Sequence, residues 1–159
     1  MKHLAKIQIE FVRIAKDDLS GTVHKEREKR ITLEELPPEV KDVKPTLIKQ
    51  GMLRDVRDDA KNKSVAYVRV RMKQEPGKDE KYILSAKHLP LQQEVEIEIS
   101  KEMFDCFFPD NVYKSQIKHR YCLPSGWDVD VVDGTDEIYA EHEHDKLEDV
   151  SVPEHWKVK

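Results

Sequence analysis

The residues able to do chemistry in this sequence are acids and bases spaced two apart. Glu26, Glu28 and Arg30 alternate over five residues, and the same spacing recurs at Arg69 and Arg71, and at Glu94, Glu96 and Glu98. It returns at Lys118 and Arg120, at Asp128 and Asp130, and at Glu141 and Glu143. In an extended chain residues i, i+2 and i+4 share one face at about 6.5–7 Å spacing, so each set projects from one side of a strand. Acidic sets offer the hard oxygen ligands that divalent cations take, and basic sets hold a polyanion beside them. Taken singly, each strand is an ordinary sheet edge-on to water, apolar inside and charged outside. Segregation of the signs by strand needs more, because stacked glutamates repel unless something cationic sits among them. Charged faces turned inward around a lumen would make a site for a metal-bound polyphosphate.

The elements that must carry these sets have a period of two. Ile7, Ile9 and Phe11 alternate with polar neighbours; Thr22 to Leu33 is charged and weakly alternating, and Leu36-Pro37-Pro38 stops any element there. Strands are expected over Pro45–Leu53, Val65–Lys73, Lys81–Lys87 and around Val95–Ile99, with a turn at Glu75-Pro76-Gly77-Lys78-Asp79. The period then changes. Ser100 is an N-cap for a helix whose apolar stripe is Met103, Phe104, Phe107 and Phe108, ended by Pro109. Strands resume over Ser115–Leu123, Trp127–Val132 and Ile138–Asp145, separated by Pro124-Ser125-Gly126 and Asp133-Gly134. The expectation is a mainly antiparallel β domain with one or two helices, spanning 1–159 without a linker to divide it.

Composition bounds the function. Charged residues make up 38% of the 159, against about 25% in an average globular protein. Hydrophobic residues also make up 38%, too many for a disordered chain of net charge −4. That net charge discourages non-specific nucleic-acid binding. No apolar run reaches the roughly 20 residues of a membrane span, and the N-terminus is interrupted by charge too early for a secretory signal. Cys106 and Cys122 make no disulfide framework, so a cytoplasmic location is expected. P-loop, dinucleotide and hydrolase-elbow signatures are absent from the sequence. His142 and His144 read as surface or satisfied histidines, Trp127 and Tyr121 as core fillers, and the phenylalanines as a packing stripe.

The ordered series of motifs resembles the CYTH domain, also called the triphosphate tunnel metalloenzyme family. Glu26-Arg27-Glu28-Lys29-Arg30 is similar to that family's opening E-x-E-x-K, with arginine in the lysine place. Leu36-Pro37-Pro38 and Ile48-Lys49-Gln50-Gly51-Met52-Leu53 follow, then Val68-Arg69-Val70-Arg71 and a strand ending in Lys87. Glu94 to Ile99 resembles the acidic strand before the family's helix, and Lys118-His119-Arg120-Tyr121 its K-x-R-Y. Trp127-Asp128-Val129-Asp130, Ala140-Glu141-His142-Glu143 and Pro153-Glu154-His155-Trp156 complete the series. The resemblance covers roughly residues 24–158 and leaves 1–22 as an extension or extra strand. Alternatively Gln8-Ile9-Glu10 forms the opening strand and 13–30 is an insertion.

The resemblance implies a closed eight-stranded antiparallel tunnel with flanking helices and charged residues lining its lumen. It implies hydrolysis of a triphosphate compound, whether inorganic, nucleoside or thiamine triphosphate. Mg²⁺ or Mn²⁺ would be held by Glu26, Glu28, Glu141 and Glu143, with Glu96, Glu98, Asp128 and Asp130 behind them or on a second metal. Arg30, Arg69, Arg71, Lys87, Lys118 and Arg120 would neutralise the phosphates, with Glu28, Arg30 and Lys87 closest to the chemistry. A class IV-type adenylyl cyclase and a non-catalytic nucleotide- or polyphosphate-binding module share the same motifs. The implied partner is a triphosphate-containing small molecule, with no specific nucleic acid and no membrane; a homodimer is left open.

Overall fold

The structure is a computed structural model that describes residues 23–25, 28–55, 66–88, 93–143 and 150–159. The expected strand at Ile7–Phe11, the alternative opening strand Gln8-Ile9-Glu10, Glu26 and His144 lie outside the described residues. The chain is mainly β, as its period-two patterning dictates. Its strands are β1 (Val23–Lys25), β2 (Glu28–Leu33), β3 (Thr46–Asp55), β4 (Ala66–Gln74) and β5 (Lys81–His88). They continue with β6 (Gln93–Ile99), β7 (Tyr113–Cys122), β8 (Trp127–Val132) and β9 (Ile138–Glu143). The α-helix α1 (Lys101–Phe107) and a 3₁₀ helix (Pro38–Asp42) complete it. In hydrogen-bonding order the strands run β1-β6-β5-β4-β3-β7-β8-β9-β2. Nine strands are described where eight were expected, and no pairing among the described residues joins the two ends. The stretch expected as one opening strand gives two, β1 pairing antiparallel with β6 and β2 with β9.

Two compact units emerge. One comprises the described residues within 1–26, 50–72 and 81–115; the other those within 27–49, 73–80 and 116–159. In the first, the apolar face of β4 buries Val68, Val70 and Met72, and Ala86 and Val95 are buried on β5 and β6. Helix α1 starts where Ser100 accepts a hydrogen bond from the Met103 amide, 3.1 Å, as the N-cap reading requires. Of its expected apolar stripe only Phe104 is fully buried, packed on Tyr82 and Phe108 at ring separations of 5.3 and 5.2 Å, whereas Met103 is exposed. Seven residues give only two turns, too few to bury a full stripe.

The second unit is built on β7-β8-β9-β2, all antiparallel. Leu33, Leu123, Trp127, Val129 and Ala140 form its core with Val40 of the 3₁₀ helix and Trp156. Pro38 does not stop structure there; it begins the 3₁₀ helix, where its missing N–H costs nothing. The C-terminal segment lies along the end of β2, with Leu33 bridging Val158, Glu34 N–H donating to Lys157 and Lys159 N–H to Thr32. Trp156 meets Trp127 edge-on at 5.5 Å, and its indole N–H donates to Glu39, 3.4 Å away. Burying such side chains contributes about 1.5–3 kcal/mol each, which fixes which face of β8 and β9 turns inward to the core. The opposite face is thereby left to the charged residues.

Candidate functional site

Alternation places that charged face residue by residue. With Trp127, Val129 and Val131 on the core side, Asp128 and Asp130 must point the other way. On β9 Ala140 packs in the core, so Tyr139, Glu141 and Glu143 face the charged side. On β2 Ile31 and Leu33 pack inward, leaving Glu28, Arg30 and Thr32 opposite. Register then sets the rows: Arg120 lies opposite Asp130, and Asp130 opposite Tyr139. Cys122 lies opposite Asp128, Asp128 opposite Glu141, and Glu141 opposite Arg30.

The hub is Asp130, 0% exposed. Its Oδ1 accepts from Arg120 Nε at 2.8 Å, and its Oδ2 accepts from Arg120 Nη2 at 2.7 Å and Lys118 Nζ at 2.5 Å. Arg120 also reaches Glu141 Oε2 at 2.6 Å and Asp128 Oδ2 at 3.3 Å, so one guanidinium joins three carboxylates on two neighbouring strands. Asp128 and Glu141 are directly opposite, and without that bridge two like charges would repel. Lys118 completes its set with Tyr139, donating to the hydroxyl at 3.0 Å. Arg30 lies 3.6 Å from Glu141 and stacks over the Tyr139 ring with its Cζ 3.9 Å from the centroid.

These contacts set the charge states. Burial works to raise the Asp130 carboxyl, but the Arg120 hydrogen bonds and the Lys118 and Arg120 charges outweigh it and hold it low. Burial also opposes the charge on Arg120, and Asp130, Glu141 and Asp128 overcome it, raising its pKa. Lys118 is pushed down to about 8 by burial and by the Arg120 charge, against the pull of Asp130 and Glu141. Burial, with Asp130 and Glu141 nearby, raises the Tyr139 phenol, so Tyr139 stays neutral.

The other unit holds a smaller version. Arg69 donates to Ser85 Oγ at 3.1 Å and to Glu94 Oε1 at 3.0 Å, and Glu94 is buried. Arg71 Nε donates to Gln50 Oε1 at 3.2 Å. Lys87 lies opposite Glu94, Ser85 opposite Glu96, and Ile83 opposite Glu98, which is exposed.

The sequence set is thus brought together in two groups. Arg30, Lys118, Arg120, Asp128, Asp130 and Glu141 are joined by direct contacts, while Glu28 and Glu143 lie directly opposite each other on β2 and β9. Arg69 stands with Glu94, and Lys87 and Glu96 lie on the same face of β5 and β6. Tyr139 is the residue that sequence reasoning missed; it stands two positions before Glu141, so the same period-two rule could have found it, while Glu94 was placed on the acidic face but given no role. His142 has its own occupation: it packs edge-on against Trp127 at 5.2 Å, and its Nδ1 lies 2.8 Å from the Glu143 carbonyl.

The donors suit a hard divalent cation in type. Glu28 and Glu143 are opposed like charges of the kind a cation relieves, and carboxylate oxygen is what Mg²⁺ and Mn²⁺ take. Among the described residues no group of three or more His, Cys, Asp or Glu is drawn together closely enough to hold a metal ion. Glu141 has both oxygens engaged by arginines, and Glu26 lies outside the described residues. Among the described residues no helix is long and apolar enough to cross a membrane.

The fold is a known one. The chain is similar to a crystal structure of the inorganic triphosphatase NE1496, at 22% identity and a TM-score of 0.54, over 86% of this chain and 87% of that one. A crystal structure described as the hypothetical protein NE1496 aligns at 21% identity and a TM-score of 0.55, over 84% and 88%. The resemblance to the CYTH, or triphosphate tunnel metalloenzyme, family is therefore matched in the fold. No family model matches the sequence, and no curated protein matches it.

Proposed function

We propose that the chain is a metal-dependent triphosphatase of the CYTH type, transferring the terminal phosphoryl group of a triphosphate to water. The observation that carries this is the grouping of Arg30, Lys118 and Arg120 around Asp130, Tyr139 and Glu141 on one sheet face. Phosphoryl transfer asks for positioning and charge stabilisation and for little covalent chemistry from protein, which suits a face of fixed cations. Lys118 and Arg120 are held in place before any ligand arrives, by a buried carboxylate whose two oxygens both accept from them. The resemblance assigns Arg69, Arg71 and Lys87 to the phosphates as well.

Charge argues for the metal. The face of β2, β7, β8 and β9 carries Arg30, Lys118 and Arg120 against Glu28, Asp128, Asp130, Glu141 and Glu143, a net charge of −2. Such a face cannot take up a polyanion on its protein cations alone. Mg²⁺ or Mn²⁺ held by Glu26, Glu28, Glu141 and Glu143 would offset that charge and, when bound, polarise the phosphoryl group under attack. For Glu141 this means giving up one of its two arginine partners to the metal and the phosphates. Closure of the sheet into a tunnel belongs to the proposal too: β1 and β2 end the strand order, yet only residues 26 and 27 separate them in the chain.

The test is release of phosphate from inorganic triphosphate with Mg²⁺ or Mn²⁺, compared with Glu28→Ala and Arg120→Ala. Turnover that both substitutions abolish supports the enzyme. A cyclic nucleotide formed from ATP would make it a cyclase, and tight binding without turnover a sequestering module. Absence of both binding and turnover across inorganic, nucleoside and thiamine triphosphates would refute the reading.

A further inference from the structure

We infer that Tyr139 is a positioning residue: its ring is the platform that holds Arg30 in place to meet a phosphate group. The inference rests on the proposed function and deepens it. Tyr139 is 5% exposed, and three observations fix its ring. Its strand register places it opposite Thr32 on one side and Asp130 on the other. Its hydroxyl accepts from Lys118 Nζ at 3.0 Å, which anchors the far end of the ring. Ala140 beside it is sealed in the core, so the strand cannot rotate to turn the ring elsewhere.

Arg30 is the opposite case. Its side chain is 56% exposed, it stands opposite Glu141, and it reaches diagonally across the strand pair to lie over the ring with Cζ 3.9 Å from the centroid. A long exposed side chain of this kind loses rotamer freedom when it binds an anion, unless something has already ordered it. A flat guanidinium can lie on an aromatic face and still present N–H groups at its edge. An ammonium is a hydrated point charge and gains less from the same ring. The arginine at position 30 and the tyrosine at position 139 are therefore one device: each is the right residue because of the other. Glu141, 3.6 Å away, orients the same guanidinium from the side.

The experiment compares Tyr139→Leu and Tyr139→Phe, each in the Arg30 and the Arg30→Lys background. The readouts are the calorimetric dissociation constant for inorganic triphosphate with Mg²⁺, kcat, and the NMR shifts of the Arg30 Cδ and Nε protons without ligand. Tyr139→Leu is expected to weaken triphosphate roughly two- to thirty-fold, the range of a cation–π contact, with a smaller change in kcat. Tyr139→Phe keeps the ring and recovers most of that affinity. With Arg30→Lys the Tyr139→Leu step shrinks to under about twofold, because the stacked partner has gone. An equal loss in both backgrounds, or none in either, overturns the inference. If Tyr139→Leu does not fold, the upfield ring-current shift of the Arg30 protons in wild type and Tyr139→Phe decides, and its absence overturns the inference. Triphosphate bound with no sensitivity to the ring refutes the positioning role alone. Wild-type protein that neither binds nor turns over triphosphate refutes the function as well, even with the ring-current shift present.

Discussion

Asp130→Asn is the most informative single change in this protein. The side chain keeps its shape and loses its charge, at a position where all three hydrogen-bond partners are donors: Arg120 Nε, Arg120 Nη2 and Lys118 Nζ. An amide oxygen can serve one side of that set. The amide nitrogen on the other side is itself a donor and faces a donor. Breaking a buried ion pair by removing one partner costs about 3–5 kcal/mol, because the surviving charge stays buried. Arg120 keeps Asp128 at 3.3 Å and Glu141 at 2.6 Å, whereas Lys118 keeps the neutral Tyr139, its hydroxyl at 3.0 Å and its ring at 5.2 Å. The lower end, about 3 kcal/mol, is therefore expected. In a chain of this size each kcal/mol moves the melting temperature by roughly 2–4 °C, so a fall of about 6–12 °C follows.

The assay is a thermal melt at neutral pH in buffer free of phosphate. A melting temperature within about 2 °C of wild type would refute the assignment of Asp130 as the anchor of the two cations. A second arm ties the anchor to the ligand. In Asp130→Asn the cationic pair has lost its buried counter-charge, so inorganic triphosphate with Mg²⁺ should raise the melting temperature more than it does in wild type. Saturation at a hundred times the dissociation constant adds about 2.7 kcal/mol, enough to restore most of the loss. The acid side has a definite sign. Asp130 has its pKa lowered in the fold, so its contribution is complete above the ordinary carboxylate range and is lost only as pH falls through its depressed value. The gap between wild type and variant should accordingly persist from neutral pH down past pH of about 4 and close below it.

The remaining expectations concern one cation and one close approach. Lys118 titrates at about 8, below its ordinary 10.5, so triphosphate affinity should decline between pH 7 and 9 as the charge is lost, and Lys118→Met should flatten that decline. Between about 8 and 10.5 the unfolded chain binds the extra proton, so Lys118 should add stability with rising pH across that window, an increment that urea titrations of Lys118→Met should lack. Gly51→Ala would place a Cβ 2.6 Å from Val112 Cβ and should cost about 1–3 kcal/mol in a urea titration, with Val112→Ala restoring much of it.

Much of the fold could be read from the sequence because period-two alternation and turn residues are local signals. Trp127-Asp128-Val129-Asp130 states its own strand and its two faces, and Ser100 states the start of α1 through the oxygen that caps Met103. What could not be read was pairing. The segment around Glu28 looked like one strand, and its division into β1, paired with β6, and β2, paired with β9, depends on partners far along the chain. The site was legible in the same uneven way. Alternation gave the faces of Arg120, Asp130 and Glu141, but the register that sets Asp130 between Arg120 and Tyr139 is a tertiary fact. Glu94, Glu96 and Glu98 were read as one acidic face; burial separates them, since Glu94 is buried on Arg69 and Glu98, four residues away on the same face, is exposed.

That separation shows how a protein with 38% charged residues orders its arginines. Each unit uses one buried acid beneath an arginine of a different strand: Glu94 under Arg69, and Asp130 under Arg120. In both pairs the carboxylate is the more deeply buried partner, at 3% and 0%, while each arginine keeps 14% of its side chain open. An acid placed this way fixes where the guanidinium points. The exposed acids Glu28 and Glu143 stand opposite each other with no such depth, the position from which carboxylates can exchange a neighbour for a hard cation. On the proposed function, buried acids hold the cations and shallow acids would take the metal. On that division, Glu28→Gln should leave the melting temperature in metal-free buffer within about 2 °C of wild type while abolishing the added stability conferred by Mg²⁺ with triphosphate, the reverse of Asp130→Asn.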